Sequence, residues 1–262
     1  MVTLPTMTAR LLGGIMSTWF PNRRLFLNSN SKMVQKGYLE HCIEAMVEFL
    51  GPIRNLVYLP FATVASPGRE LEAWSGALRS PRLAFKQFGV NVHGPESMGE
   101  ARRCVYVAEA IMIGGGNTYS LLHWLYRLDL ISDLERHLAC DKPIIGSSAG
   151  TNVLCPTIRT TNDWRIITPK NMNGVNAIPF QINPHYIDPD PLYGGESREE
   201  RIREYHLLNS HPVLGLREDS WLLIDNGRAQ LGGGKSARLF LKGQKPTEHP
   251  SGADLSFLLK ED

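Results

Sequence analysis

Gly146-Ser147-Ser148-Ala149-Gly150 has the pattern G-x-S-x-G. A short apolar strand, Pro143-Ile144-Ile145, precedes it, and a helix is predicted after it. This is the pattern of a nucleophile elbow, a strand-to-helix turn so tight that small residues must flank the serine. A serine there sits above the carboxyl ends of an open α/β sheet, where such sheets bind ligands. The chemistry implied is acyl transfer, with the hydroxyl of Ser148 attacking and the N–H of Ala149 facing the oxyanion. The same five residues also suit an ordinary small-residue turn, so other residues must decide.

A hydroxyl nucleophile needs a base. His185 is the candidate, because Asn183-Pro184-His185-Tyr186 follows a predicted strand, Ile178 to Ile182. The other histidines have less claim: His41, His123, His137 and His206 fall in predicted helices, His93 and His211 in loops, and His249 in the tail. Gly114-Gly115-Gly116-Asn117-Thr118 also joins a strand to a helix. It lacks the lysine of a phosphate-binding loop. Two uses remain for it, an oxyanion loop beside the serine turn or a plain turn capped by Asn117. Cys155, seven residues after Ser148, has the core-like neighbours Val153, Leu154 and Pro156, which favours burial over catalysis.

Alternating strands and helices must position these residues. Leu25-Phe26-Leu27, Leu56 to Leu59, Val90 to Val92, Ala110 to Ile113 and Pro143 to Gly146 read as short buried strands. Between them lie helical patterns: Leu39 to Leu50, residues 65–87 broken at Pro81, and a run marked by Leu121, Leu122, Leu125, Leu128 and Ile131. The fold class expected is α/β, a mostly parallel central sheet flanked by helices on both faces. The second half predicts shorter strands at Ile166-Ile167, Ile178 to Ile182, Val213 to Leu216, Trp221 to Ile224 and Ala237 to Leu241, giving a short antiparallel C-terminal part. Asn226-Gly227 signals a hairpin, and a helix is predicted over Ser197 to Leu208. The tail from Pro246 reads as loose.

With 262 residues, 42% apolar and 21% charged, the chain can bury a core without disulfides or metal. Its four cysteines form no CxxC pair and no disulfide framework, so reduced thiols are expected. A net charge of +2 makes no electrostatic case for nucleic acid, and no apolar run is long enough for a membrane span. Residues 1–39 nevertheless hold Arg10, Arg23, Arg24, Lys32 and Lys36 and no acid. The expectation is a flexible extension over residues 1–22, with organellar targeting a minor alternative, followed by one α/β domain over 23–262. The histidines and acids lack metal-ligand spacing, so neither metal nor other cofactor is expected. The expected setting is the cytoplasm, and the expected assembly a monomer or homodimer.

Together the motifs resemble the peptidase E family, the α-aspartyl dipeptidases. The matching strings are Leu27-Asn28-Ser29-Asn30-Ser31, Ile113 to Thr118 (IGGGNT), Ser148-Ala149-Gly150, Cys155 to Asp163 (CPTIRTTND), Gln181 to His185 (QINPH), Gly195 to Arg203 (GESREERIR), and Gly215-Leu216 with Glu218. They run in order from about residue 25 to about residue 240. Bacterial relatives commonly carry tryptophan where this chain has Ser147. The resemblance implies a sheet sandwiched by helices, similar to class I glutamine amidotransferases, and a serine peptidase with a Ser-His-Glu triad. On that basis Ser148 is the nucleophile, His185 the base and then acid, and Glu218 the group that orients it, with Gly116 and Ala149 forming the oxyanion hole. Asp163 is the rival acid, because an α/β-hydrolase takes its acid from before the histidine; Asp163 is otherwise expected in or near the site.

The family removes an N-terminal aspartate from dipeptides, so small Asp-X peptides are the expected partners. A forked cation would read the substrate carboxylate, and Arg159, Arg198, Arg201 and Arg203 are the candidates. The last three also suit a solvated helix face with a Glu199–Arg203 pair. Rival readings are a cyanophycinase-like β-aspartyl peptidase, an amidotransferase-like domain, against which Ser148 argues because cysteine would stand there, and a non-catalytic binding module.

Overall fold

The computed structural model describes residues 22–190, 192 and 195–260. The expected extension over residues 1–22 lies outside them except for Asn22. In chain order come β1 (Leu25–Asn28), α1 (Ile43–Leu50), β2 (Asn55–Leu59), α2 (Glu70–Ala77), α3 (Arg79–Lys86), β3 (Asn91–His93), α4 (Ala101–Val107), β4 (Ala110–Ile113), α5 (Thr118–Arg127), α6 (Ile131–Ala139), β5 (Ile144–Ser147) and α7 (Ala149–Val153). The second half holds β6 (Gln181–Tyr186), α8 (Arg198–Leu208), β7 (Val213–Arg217), β8 (Ser220–Asp225), β9 (Arg228–Gly233), β10 (Ala237–Phe240) and β11 (Thr247–His249).

Seven strands form the main sheet in the order β3-β2-β4-β5-β1-β8-β9. The first five are parallel, and β8 and β9 add an antiparallel edge. The inner strands are mostly apolar and buried at all but one position, Asn55, because helices cover both faces. Leu25, Leu27, Ile111, Ile113 and Ile144 pack with α4, α5, α6 and α7. Their neighbours in sequence, Phe26, Met112 and Ile145, pack on the other face with α1 and α3. The layered α/β fold expected is therefore present. Asn226 and Gly227, at φ 49° and 71°, form the hairpin turn between β8 and β9.

A second sheet, in the order β11-β10-β7-β6, gathers the shorter strands, with β6 parallel to β7. Several expectations are corrected here. Ile166-Ile167 forms no strand; Ile166 is exposed and has no ladder to join. The strand expected over Ile178 to Ile182 begins instead at Gln181 and runs through His185, because Gln181 to Pro184 pair with Val213 to Leu216. The helical run through Leu128 breaks into α5 and α6 where Asp129 adopts φ 56°. The tail is not loose. Leu255, Leu258 and Leu259 are buried in the core, and the 3₁₀ turn Ser256–Leu259 packs on β9.

Candidate active site

Ser148 occupies the turn between β5 and α7 at φ 54°, ψ −111°. This sharp, sparsely populated conformation lifts its side chain off the end of the sheet. Its N–H donates to the carbonyl of Asn28 at 3.0 Å. Gly150 has to be glycine, because a Cβ there would collide with the carbonyl of Ile113 on β4.

His185 reaches the same place through a β-bulge. Pro184 pairs with Leu216 and Tyr186 with Arg217, leaving His185 as the extra residue, at φ 53°. A bulge bends its strand and re-aims a side chain. Here the imidazole turns to Ser148: Nε2 lies 2.9 Å from Ser148 Oγ. On its other side Nδ1 lies 2.7 Å from Glu218 Oε1. The carboxylate can only accept, so Nδ1 carries the proton and Nε2 is left to accept from the serine hydroxyl. Glu218 stands in the tight turn from β7 to β8. The imidazole and carboxylate side chains are 39% and 48% exposed, open enough for a peptide to reach the serine.

Asp163 takes a different position. Its Oδ2 accepts from the N–H of Thr118 at 2.7 Å and from Thr118 Oγ1 at 2.6 Å. It therefore anchors its loop to the start of α5, while Glu218 is the acid within hydrogen-bond reach of His185. The glycine loop is a capped turn that lies beside the serine turn. Asn117 caps α5, its side chain accepting from the N–H of Ser120 at 3.0 Å, and Gly115 lies directly against Ser148. Gly116, at φ 139°, has no room for a side chain beside the carbonyl of Ala62. Among the described residues, neither Gly116 nor Ala149 has its N–H bonded to a protein acceptor.

Cys155 is buried beneath the site. Its sulfur accepts from the N–H of Ile182 at 3.2 Å, and burial pushes its thiol up to about 12, which makes it inert. The string that contains it holds the outer edge of β6. Asn152 and Thr160 donate to the carbonyl of Ile182, each at 2.9 Å, and Asn162 to that of Pro184 at 2.8 Å. These side chains stand in for the missing neighbour of an edge strand. A guanidinium clamp went unread in the sequence. Arg217, next to Glu218, bonds both carboxylate oxygens of Asp188 and both of Glu248. These bonds hold the Glu248 carboxyl down to about 2.

Two hollows border β6. Arg159 and Arg201 line one of about 490 Å³ with Asn162 and Asn183. Arg198 and Arg201 line the other, of about 370 Å³, with Ile187 and Asp188. Arg201 also pairs with Glu196 at 2.6 Å. Arg203 lies apart, in a depression among Glu196, Glu200 and Glu204. Among the described residues, Glu199 pairs with Arg238 of β10 at 3.2 Å and not with Arg203. Among the described residues, no group of three or more His, Cys, Asp or Glu could hold a metal, and no helix is long and apolar enough to cross a membrane.

A serine on an elbow, a histidine and a carboxylate in one hydrogen-bonded line, set on a layered α/β sheet, define a serine-type hydrolase. The profile of Peptidase family S51 matches residues 25–232, and the chain belongs to that family of serine peptidases. It is 41% identical to Peptidase E of Streptomyces coelicolor, over 90% of this chain and 94% of the relative. It is 35% identical to Peptidase E of Nostoc sp., over 91% and 98%, and 34% identical to a probable alpha-aspartyl dipeptidase of Drosophila melanogaster, again over 91% and 98%. Among solved structures, a peptidase from an acI-B1 Actinobacterium shares the fold with TM-score 0.68 at 17% identity, covering 90% of this chain and 97% of that one. A putative Peptidase E from Listeria monocytogenes does so with TM-score 0.56 at 20% identity, over 87% and 98%.

Proposed function

We propose that this chain is a serine dipeptidase that hydrolyses the α-peptide bond after an N-terminal aspartate. The observation that carries the chemistry is the line from Ser148 Oγ to His185 Nε2, at 2.9 Å, and from His185 Nδ1 to Glu218 Oε1, at 2.7 Å. The aspartyl preference is supported by relatives named Peptidase E and probable alpha-aspartyl dipeptidase.

In the first step Ser148 Oγ attacks the scissile carbonyl while Nε2 of His185 takes its proton. Glu218 stabilises the imidazolium and holds the ring in place. The N–H groups of Gly116 and Ala149 stabilise the oxyanion, each worth roughly 3 kcal/mol. The intermediate collapses by breaking the C–N bond, and His185 returns the proton to the departing amine. Water then attacks the acyl-enzyme, with His185 as base again, releasing aspartate. Asp163 borders the site by fixing the glycine loop. The cation that reads the substrate side chain comes from Arg159, Arg198 or Arg201, the three that line the hollows beside β6; Arg203 lies outside both.

Asp-Leu, Asn-Leu, Glu-Leu, acetyl-Asp-Leu and β-Asp-Arg, compared by kcat/KM, test this. Arg159 and Arg201 are exposed and Arg198 half-buried, so loss of the charged partner is worth about 1.5–3 kcal/mol, and Asp-Leu should exceed Asn-Leu by roughly 10- to 100-fold. Glu-Leu, whose carboxylate lies one methylene too far, should be poor, and acetyl-Asp-Leu uncut. Equal values for Asp-Leu and Asn-Leu would rule out a cation that reads the side chain. Preference for β-Asp-Arg would move the chain to the β-aspartyl class.

A further inference from the structure

The mechanism above uses no side chain of the Leu27-to-Ser31 string, although it is one of the motifs by which the chain is recognised. Its geometry gives it a role. The carbonyl of Asn28 accepts from the N–H of Ser148 at 3.0 Å and from Thr151 Oγ1 at 2.7 Å. Ser29 Oγ accepts from the N–H of His185 at 2.9 Å. Asn30 Oδ1 accepts from the N–H of Asp219, the residue after Glu218, at 3.0 Å. Three consecutive residues thus each hold one of the three loops that carry Ser148, His185 and Glu218.

Ser29 is the most informative of the three. The bulge at His185 interrupts the β6–β7 ladder and leaves the N–H of His185 without a strand partner. The hydroxyl of Ser29 enters the gap. It accepts from His185 and donates to the carbonyl of Leu216 at 2.8 Å. Ser29 is fully buried, and its own N–H donates to the carbonyl of Ser220 at 3.1 Å, so the hydroxyl is fixed in place. A non-glycine residue at φ 53° persists only where its surroundings over-determine it.

We propose that Asn28-Ser29-Asn30 is the positioning hub of the site, and that the Ser29 hydroxyl sets the imidazole of His185 by holding the bulge open. Ser29 acts through the main chain of His185 and is a positioning residue. The inference rests on the Ser148-His185-Glu218 mechanism. Without the hydroxyl, a buried N–H and a buried carbonyl lose a partner and the bulge must relax. A shift of the imidazole by about 1 Å costs on the order of 10²-fold in rate. Substrate binding, which is made elsewhere, is spared.

The test measures kcat and KM for Asp-Leu per folded molecule, well below the melting temperature, for the full-length Ser29→Ala and Ser29→Thr proteins. Ser29→Ala should lower kcat about 10- to 100-fold with KM within about twofold, and should shift or broaden the downfield Nδ1–H proton resonance of His185. Ser29→Thr keeps the hydroxyl and should return kcat to within about threefold of the parent. Leu258→Ala, in the core beneath β9, should lower stability and leave kcat unchanged, separating positioning from folding. A Ser29→Ala protein with parental kcat and an unmoved resonance overturns the proposal, as does a loss no larger than its unfolded fraction. If Ser29→Ala does not fold, Ser29→Cys fills the same space with a weaker hydrogen-bonding group. Reduced kcat there supports the hub and parental kcat overturns it. Failure of the underlying mechanism would show separately, as turnover by Ser148→Ala.

Discussion

Ser148 and His185 meet at 2.9 Å with both backbones in the left-handed region, at φ 54° and 53°. Each lies where a regular element is broken, one at the end of a parallel strand and the other on a bulge. Such conformations cost of order 1–3 kcal/mol each. The buried hydrogen bonds from β1, and those along the outer edge of β6, offset that cost and keep the two side chains aligned.

The adjacent serines of the elbow should behave differently. Ser147 is fully buried at the end of β5, in register with Asn28. Ser147→Ala should hold kcat/KM for Asp-Leu within about tenfold, and Ser148→Ala should lose most of it, because the members of a triad act as a unit. Parental turnover by Ser148→Ala would remove the serine mechanism.

The two acids should separate as well. Glu218→Gln deprives the imidazolium of its counter-charge, with an expected loss of about 10³–10⁴ in kcat. Asp163→Asn weakens the anchor at Thr118 and should cost about 1 kcal/mol of stability, with a smaller loss of kcat. Steady-state kinetics and urea melts of both variants decide. The opposite ranking of kcat would exchange the two roles.

Gly116 should tolerate no side chain. A Cβ there meets the carbonyl of Ala62 in a conformation that L-residues rarely adopt. Gly116→Ala should displace the loop and lower kcat by about 10²–10³, the range for loss of one oxyanion donor, together with a fall in Tm. Unchanged kcat would take Gly116 out of the oxyanion hole.

Stability should fall in acid through a residue far from the chemistry. Burial on α6 pushes the His137 imidazole down to about 4, while its Nε2 bonds the carbonyl of Pro143 at 3.2 Å. The folded state binds the proton less readily than the unfolded state. The contribution of His137 is therefore intact above about pH 6.5 and is lost as the pH falls toward 4. Between pH 7 and 4.5 the parent should lose about 2 kcal/mol more than His137→Gln, which keeps a donor but does not titrate. Equal losses in urea melts would assign the acid sensitivity to other groups.

The parallel half of the fold was legible because strands covered on both faces are apolar throughout, as in Ala110 to Ile113 and Leu25 to Leu27. Ser148, His185 and Glu218 could be named from motifs. Their assembly is not legible in the sequence, where His185 follows the predicted strand instead of lying on it. Asn183-Pro184-His185 looks unlike strand sequence, and only its partners on β7 and the side chains along its free edge make it one. The second sheet was hidden for the same reason: its parallel β6–β7 pair depends on contacts distant in sequence. Leu255, Leu258 and Leu259 were too few to outweigh the prolines around them. The role of Ser29 has no local signal, because its side-chain partners, His185 and Leu216, lie more than 150 residues away.

The place of β1 in the main sheet governs when this chain becomes active during synthesis. Leu25 pairs with Ile144 on one side and with Ile224 on the other. A ribosome therefore releases β1 long before either neighbour, and its second edge stays bare until β8 emerges. Pairings so distant in sequence form slowly. The elbow can assemble once β4, β5 and β1 are out, but Leu216, Asp219 and Ser220, which engage Ser29 and Asn30, come much later. A nascent chain thus carries an unarmed serine. The histidine on β6 and the carboxylate in the turn from β7 to β8 join the serine only when that later segment has been released.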